Sequence, residues 1–132
     1  MNSRSRTVSL RKLPNRIDPA QQGTLKKEFE SCMAVDRPCV ILDCSMLEQL
    51  DRPAIRFLLY RLEEAMKRNG DIRLAALHPE LRATFTSFGL DKLFQVFDDV
   101  AGAEESYRNP YVTHVPRGFA KTAQDGIRYD AA

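Results

Sequence analysis

Two carboxylates follow an apolar run in this chain. Asp43 closes the run Cys39-Val40-Ile41-Leu42, and Asp51 follows after a short polar loop. A pair of carboxylates at one sheet edge can do acid–base work or hold a magnesium ion. Each also has a structural use: Asp43 can satisfy loop amides, and Asp51, ahead of Arg52-Pro53, can cap a helix. The other reactive side chains give the pair no catalytic company. His78 and His114 are far apart with no ligand-spaced partner, and His78 before Pro79 reads as a turn residue. Cys32, Cys39 and Cys44 form no C-x-x-C pair, and neither a nucleophile elbow nor a phosphate or dinucleotide glycine loop is present. The expectation is a protein without catalytic residues, metal or cofactor.

The elements that place these residues follow from periodicity. Residues 39–43 include β-branched Val40 and Ile41 and are too short a run for a helix, so they read as a buried strand. Beyond Asp51, the residues Ile55, Leu58, Leu59, Leu62 and Met66 mark the apolar stripe of a helix over 53–68. Glu63–Lys67 and Glu64–Arg68 are expected to pair four apart on its outer face, and Asn69-Gly70 to stop it. Upstream, residues 7–13 alternate weakly as an edge strand, with Val8 and Leu10 on one side. Asp18-Pro19 with Gln21 then opens a helix carrying Leu25, Phe29, Cys32 and Met33. Downstream come a strand at 72–77 and a short helix from His78-Pro79 closed by Gly89. A strand at 95–97 follows, and a last helix capped by Asp98 runs to Tyr107. Such alternation predicts an α/β domain with a largely parallel sheet. Residues 108–132 hold no sustained period and read as a tail, mobile unless a partner orders it.

Composition sets the remaining bounds. The chain has 132 residues, enough for one domain with a real core, and a net charge of only +2. Residues 1–17 carry Arg4, Arg6, Arg11, Lys12 and Arg16 without an acid or an aromatic side chain. This reads as a solvated basic terminus, and nucleic acid is not an expected partner. No stretch approaches membrane-spanning length, no leader is expected, and three cysteines in or beside apolar runs read as reduced thiols of a cytoplasmic protein.

Three segments carry a family resemblance. Residues 39–59, Gly70-Asp71-Ile72-Arg73-Leu74-Ala75 and Phe88-Gly89-Leu90-Asp91-Lys92-Leu93-Phe94 together resemble the STAS domain of the anti-sigma-factor-antagonist type. That pattern is an apolar strand ending in Asp, a loop to Asp-Ser-Ser/Thr-Gly-Leu, a helix, then Gly-Gly-x-Leu-x-Leu and Gly-Leu-x-x-Leu-Phe. Asp43 matches the strand-end Asp, Asp51 the Asp before the phosphoacceptor, and Ile55 the Leu. The likeness spans about residues 7–107. It implies a small, mostly parallel but mixed sheet of four to five strands with about four helices. It also implies a bacterial, cytoplasmic regulator of transcription that works by binding proteins.

The departure lies at the switch itself. The phosphorylatable Ser of the pattern falls on Arg52, the next Ser/Thr on Pro53 and the Gly on Ala54. In partner-switching members, a serine kinase that is also an anti-sigma factor phosphorylates that Ser, and the added charge breaks the complex. Arginine cannot accept the phosphate. The resemblance thus implies docking to such a factor through Asp43, Ser45, Asp51, Arg52, Pro53, Ala54 and Arg56, without release by phosphorylation at residue 52. A homodimer is a further candidate assembly. Two other readings stand beside it. One is a STAS subunit of a membrane transport or lipid-trafficking complex. The other is a receiver with Asp43 as phosphoacceptor, although Leu13-Pro14-Asn15-Arg16 lacks the acidic pair a receiver needs.

Overall fold

The computed structural model describes residues 8–108; the basic residues Arg4 and Arg6, His114 and the expected tail beyond Arg108 lie outside the described residues. Four strands and four helices alternate: β1 (Val8–Lys12), α1 (Pro19–Met33), β2 (Cys39–Asp43), α2 (Arg52–Lys67), β3 (Asp71–Ala75), α3 (Pro79–Ser87), β4 (Gln95–Phe97) and α4 (Val100–Arg108). A 3-10 turn, Leu90–Lys92, leads into β4. The sheet order is β1-β2-β3-β4 and every pairing is parallel, so the described sheet has four strands and is not mixed.

Strand alternation sorts the side chains into two cores. Val40, Leu42, Ile72, Leu74 and Val96 face α1, α2 and α3, meeting Leu25, Phe29, Leu58, Leu62 and Phe85. Cys39, Ile41 and Ala75 face the opposite way, toward Ala103 and Tyr107 of α4. Val40, Ile41 and Leu42 are wholly buried, as a strand covered on both faces must be. Each such side chain stabilises the fold by roughly 1.5–3 kcal/mol. On the α4 side, the Tyr107 hydroxyl lies 2.9 Å from Asp71 O and 3.2 Å from Val40 O, fastening α4 to the adjacent strands β2 and β3. The Arg73 guanidinium stacks on the Tyr107 ring and binds Asp71 and Ser106.

Helix boundaries follow the capping chemistry. Asp18 Oδ1 accepts the Gln21 N–H at 3.0 Å, with Pro19 at the first helical position. Asn69 takes the left-handed conformation (φ 62°) that ends α2. The next residue is glycine for a different reason: a Cβ on Gly70 would collide with the Pro38 carbonyl oxygen. Several local expectations change. Met66, expected on the apolar stripe of α2, is 60 % exposed. The cap of α4 is Asp99, whose Oδ1 accepts the Gly102 N–H at 2.8 Å, while Asp98 reaches back to Arg82 on α3. Glu64 meets Arg61 at 3.6 Å rather than Arg68, because Arg61 is buried against the rings of Phe57 and Tyr60 and Glu64 is the nearby acid.

The glycines make opposite predictions. Gly70→Ala should lower stability by about 2 kcal/mol or more through the clash with Pro38. Gly23→Ala, with open space around its Cβ, should raise it by about 0.5–1 kcal/mol. Urea unfolding of the two variants checks both signs. Burial also raises the Cys44 thiol from 9.0 to about 12, and burial followed by the Asp71 charge raises the Tyr107 phenol above its ordinary 10.0. Below pH 9 both folded and unfolded chains keep the thiol proton, so Cys44 adds no pH dependence. Between 9 and 12 the unfolded chain releases the proton and the folded one holds it. Stability therefore falls as pH rises, by at most about 1.4 kcal/mol per pH unit for this group. The urea midpoint should drop between pH 8 and pH 10.5, and less steeply in Cys44→Ala; equal slopes in the two proteins would contradict it.

Candidate functional site

The parallel strands all deliver their carboxyl ends to the same edge of the sheet, and there the chain keeps its polar loops. Once a strand leaves the ladder its backbone groups still need partners. Here the last residues of the neighbouring strands supply them. Leu13 N–H donates to Asp43 O (3.0 Å), Cys44 N–H to Ala75 O (2.8 Å) and Ala76 N–H to Phe97 O (3.0 Å), continuing the pairing past the strands.

The loop from Cys44 to Leu50 lies in the middle of this row and is held along its length. Asp43 Oδ1 accepts the Ser45 N–H at 3.0 Å. Leu47 N–H closes a turn onto Cys44 O at 3.1 Å, and the Leu47 side chain is buried. Glu48 N–H donates to Asn15 O at 2.7 Å, and Arg16 Nη2 donates to Gln49 Oε1 at 2.7 Å, tying the loop to the β1–α1 connection. On the other flank, His78 Nε2 sits 3.0 Å from Ser45 O. At the far end Asp51 Oδ1 accepts the Ala54 N–H at 3.0 Å and caps α2, with Pro53 in the first turn. Both carboxylates thus carry structural hydrogen bonds, Asp43 to its own loop and Asp51 to its helix.

Of the residues singled out in the sequence, Ser45, Asp51, Arg52, Pro53 and Arg56 are exposed and Asp43 is half-buried. Ala54 is only 1 % exposed. Its side chain packs inward, so it can support a contact surface but offers none of its own. Met46, 53 % exposed, was not singled out and lies on the same loop. Its alternation with buried Leu47 is the one sequence signal that points to it. Asn15, Arg16 and His78 were missed as loop partners, because the residues they touch are about thirty positions away in sequence. Arg52 and Arg56 stand one helical turn apart in a helix start with no acidic residue in its first turn. Like charges at this spacing, and a cation at a helix N-terminus, are each mildly unfavourable.

Among the described residues, no three His, Cys, Asp or Glu side chains converge as a metal site, and no helix is long and apolar enough to cross a membrane. The Cys44 thiol at the root of the loop is buried, and burial holds it protonated. What the arrangement presents is a fixed surface of exposed polar, cationic and single apolar groups, suited to contact with another macromolecule.

The fold has close counterparts. An anti-sigma factor antagonist from Mycobacterium paratuberculosis superposes with a TM-score of 0.67 at 24% identity, covering 77% of this chain and 86% of that one. An anti-sigma-factor antagonist (STAS) domain protein from Planctomyces limnophilus gives 0.65 at 14% identity, over 74% of this chain and 88% of that one. The STAS domain of a SulP transporter from Vibrio cholerae gives 0.67 at 14% identity, over 80% and 84%. No curated protein matches the sequence. The family model of the STAS domain matches residues 4–103, which takes in all four strands and the fastened loop row. On that match the chain belongs to the STAS domain family.

Proposed function

We propose that this STAS domain is a non-catalytic, protein-binding regulator that docks an anti-sigma factor of the serine-kinase type through the loop and helix start at 45–56. The observation that carries the reading is the loop itself. It is exposed, yet fastened by both neighbouring loops, so a partner meets a surface that needs little ordering on binding. Likeness to anti-sigma factor antagonists supports the class of partner. Cytoplasmic action in bacterial transcription control belongs to the same proposal.

Arg52 gives the docking its particular character. A phosphate at this place would add about −1.5 to −2 charges, whereas Arg52 is a permanent cation, exposed at the first residue of α2. With Arg56 a turn away and Arg16 bound to Gln49, the surface around the loop is rich in arginine. The complex is therefore not released by modification of residue 52. A receiver-type phosphoacceptor role for Asp43 has no support from its neighbours, since the carboxylate is engaged by the Ser45 amide and the β1–α1 turn brings Asn15 and Arg16, not acids.

A second reading rests on the transporter likeness, which has as high a TM-score as the antagonist one. In that case the domain is a subunit of a membrane transport or lipid-trafficking complex, and it copurifies with an ATPase subunit rather than with a sigma regulator.

The test is a binding assay with kinase-type anti-sigma factors and ATP. The wild-type complex should persist in the presence of ATP, because residues 50–56 hold no hydroxyl side chain to accept phosphate. Arg52→Glu should weaken it at least about tenfold, the scale of one lost charged contact. Asp51→Ala should weaken binding and also cost about 1 kcal/mol of stability through the lost cap. Affinity indifferent to both substitutions would remove the proposed surface, and phosphate on Ser45, Thr84, Thr86 or Ser87 with loss of binding would restore a phosphorylation switch at another place.

A further inference from the structure

The connection from β3 to α3 breaks two local preferences within three residues. Ala76 is in the left-handed region (φ 64°), which a side chain with a Cβ adopts at a cost. His78 occupies the N-cap of α3, where Ser, Thr, Asp or Asn would bind a first-turn amide, and makes no such bond. Departures of this kind without a local gain mark a constraint imposed from elsewhere.

The constraint is visible across the sheet edge. The turn at Ala76 drops Leu77 into the core, where it is 5 % exposed, and leaves His78 outside. The His78 ring then reaches Ser45, thirty-three positions earlier, with Nε2 3.0 Å from the carbonyl oxygen. A carbonyl only accepts, so Nε2 carries the proton. Ser45 is held at both ends of its backbone: its N–H by Asp43 and its C=O by His78. The opposite flank of the loop is secured by Asn15 and Arg16. Beyond the Cys44–Ala75 backbone bond at the root of the loop, the only side chain from the β3 side that an observed hydrogen bond brings to it, among the described residues, is His78.

We propose that His78 is a positioning residue: it gives up capping its own helix in order to lock the 44–50 loop in the conformation that docks the partner. The docking half of this statement rests on the proposed function; the locking half does not. His78 touches the loop backbone rather than a recognition side chain, so it acts through the shape of Ser45 and Met46.

Hydrogen exchange on the full chain, residue by residue, tests the lock without any partner. In His78→Ala the amides of Ser45, Leu47 and Glu48 should lose about three- to tenfold in protection, the scale of one hydrogen bond, while those of Val40–Leu42 keep theirs. His78→Gln, which retains a donor of similar reach, should restore the loop. His78→Asp, a good cap without a donor, should raise the urea midpoint and still leave the loop amides fast. Unchanged loop exchange in His78→Ala, or a loss spread evenly over β2, would overturn the proposal. Affinity for a kinase-type anti-sigma factor should fall in step with loop protection across the three variants; equal affinities despite a loosened loop would also overturn it. A wild-type protein that binds no such factor would remove the proposed function, leaving the exchange result to decide the lock alone.

Discussion

Burial of β2 from Cys39 to Leu42 governs the rest of the molecule. Val40, Ile41 and Leu42 have no accessible surface, so the strand needs a partner on each edge and a layer on each face. The edges are taken by β1 and β3. One face is closed by α1, α2 and α3 and the other by α4, whose Tyr107 bonds across β2 and β3. A central strand of this kind can carry no polar residue until it emerges. The first one it reaches is Asp43, at the point where the carboxyl edge of the sheet begins.

Strand order then decides what kind of surface forms at that edge. In open α/β sheets ligand crevices open where the order of strands reverses. The order β1-β2-β3-β4 never reverses, so the loops lie side by side and bond laterally, from Asn15 to Glu48 and from Ser45 to His78. A continuous row of loops is better suited to another protein than to a small molecule. Local hydrogen bonds occupy the two carboxylates that first suggested chemistry: Asp43 fixes its loop and Asp51 starts its helix. The absence of an acid in the first turn of α2 and the exposed Arg52 and Arg56 are departures from helix stability that the proposed docking role would account for.

Features written in neighbouring residues could be read from the sequence, and features that depend on distant ones could not. The apolar run at β2, the Asp18 and Asp51 caps and the stop at Asn69-Gly70 are local, and they stand where periodicity and capping chemistry put them. The cap of α4 was misplaced by one residue because Asp98 and Asp99 are equivalent in a local pattern. Only the fold brings Arg82 to Asp98 and frees Asp99 for Gly102. Glu64 chose Arg61 over Arg68 because a buried guanidinium needs its charge answered. Ala54 was counted as surface because it sits inside a recognised motif, but the period of α2 turns it inward. The contact from His78 to Ser45 has no local signature at all; its trace in the sequence is a histidine where a capping residue belongs.

The central claim is that the row of carboxyl-edge loops is a preformed protein-docking face. Comparing amide exchange of the free chain with that of its complex with a kinase-type anti-sigma factor tests it most directly. The amides of Cys44, Ser45, Leu47 and Glu48 should already be protected in the free chain. Binding should add protection there and at the start of α2, with little change on α4. Unprotected loop amides in the free protein, or a binding footprint centred on α4, would contradict it.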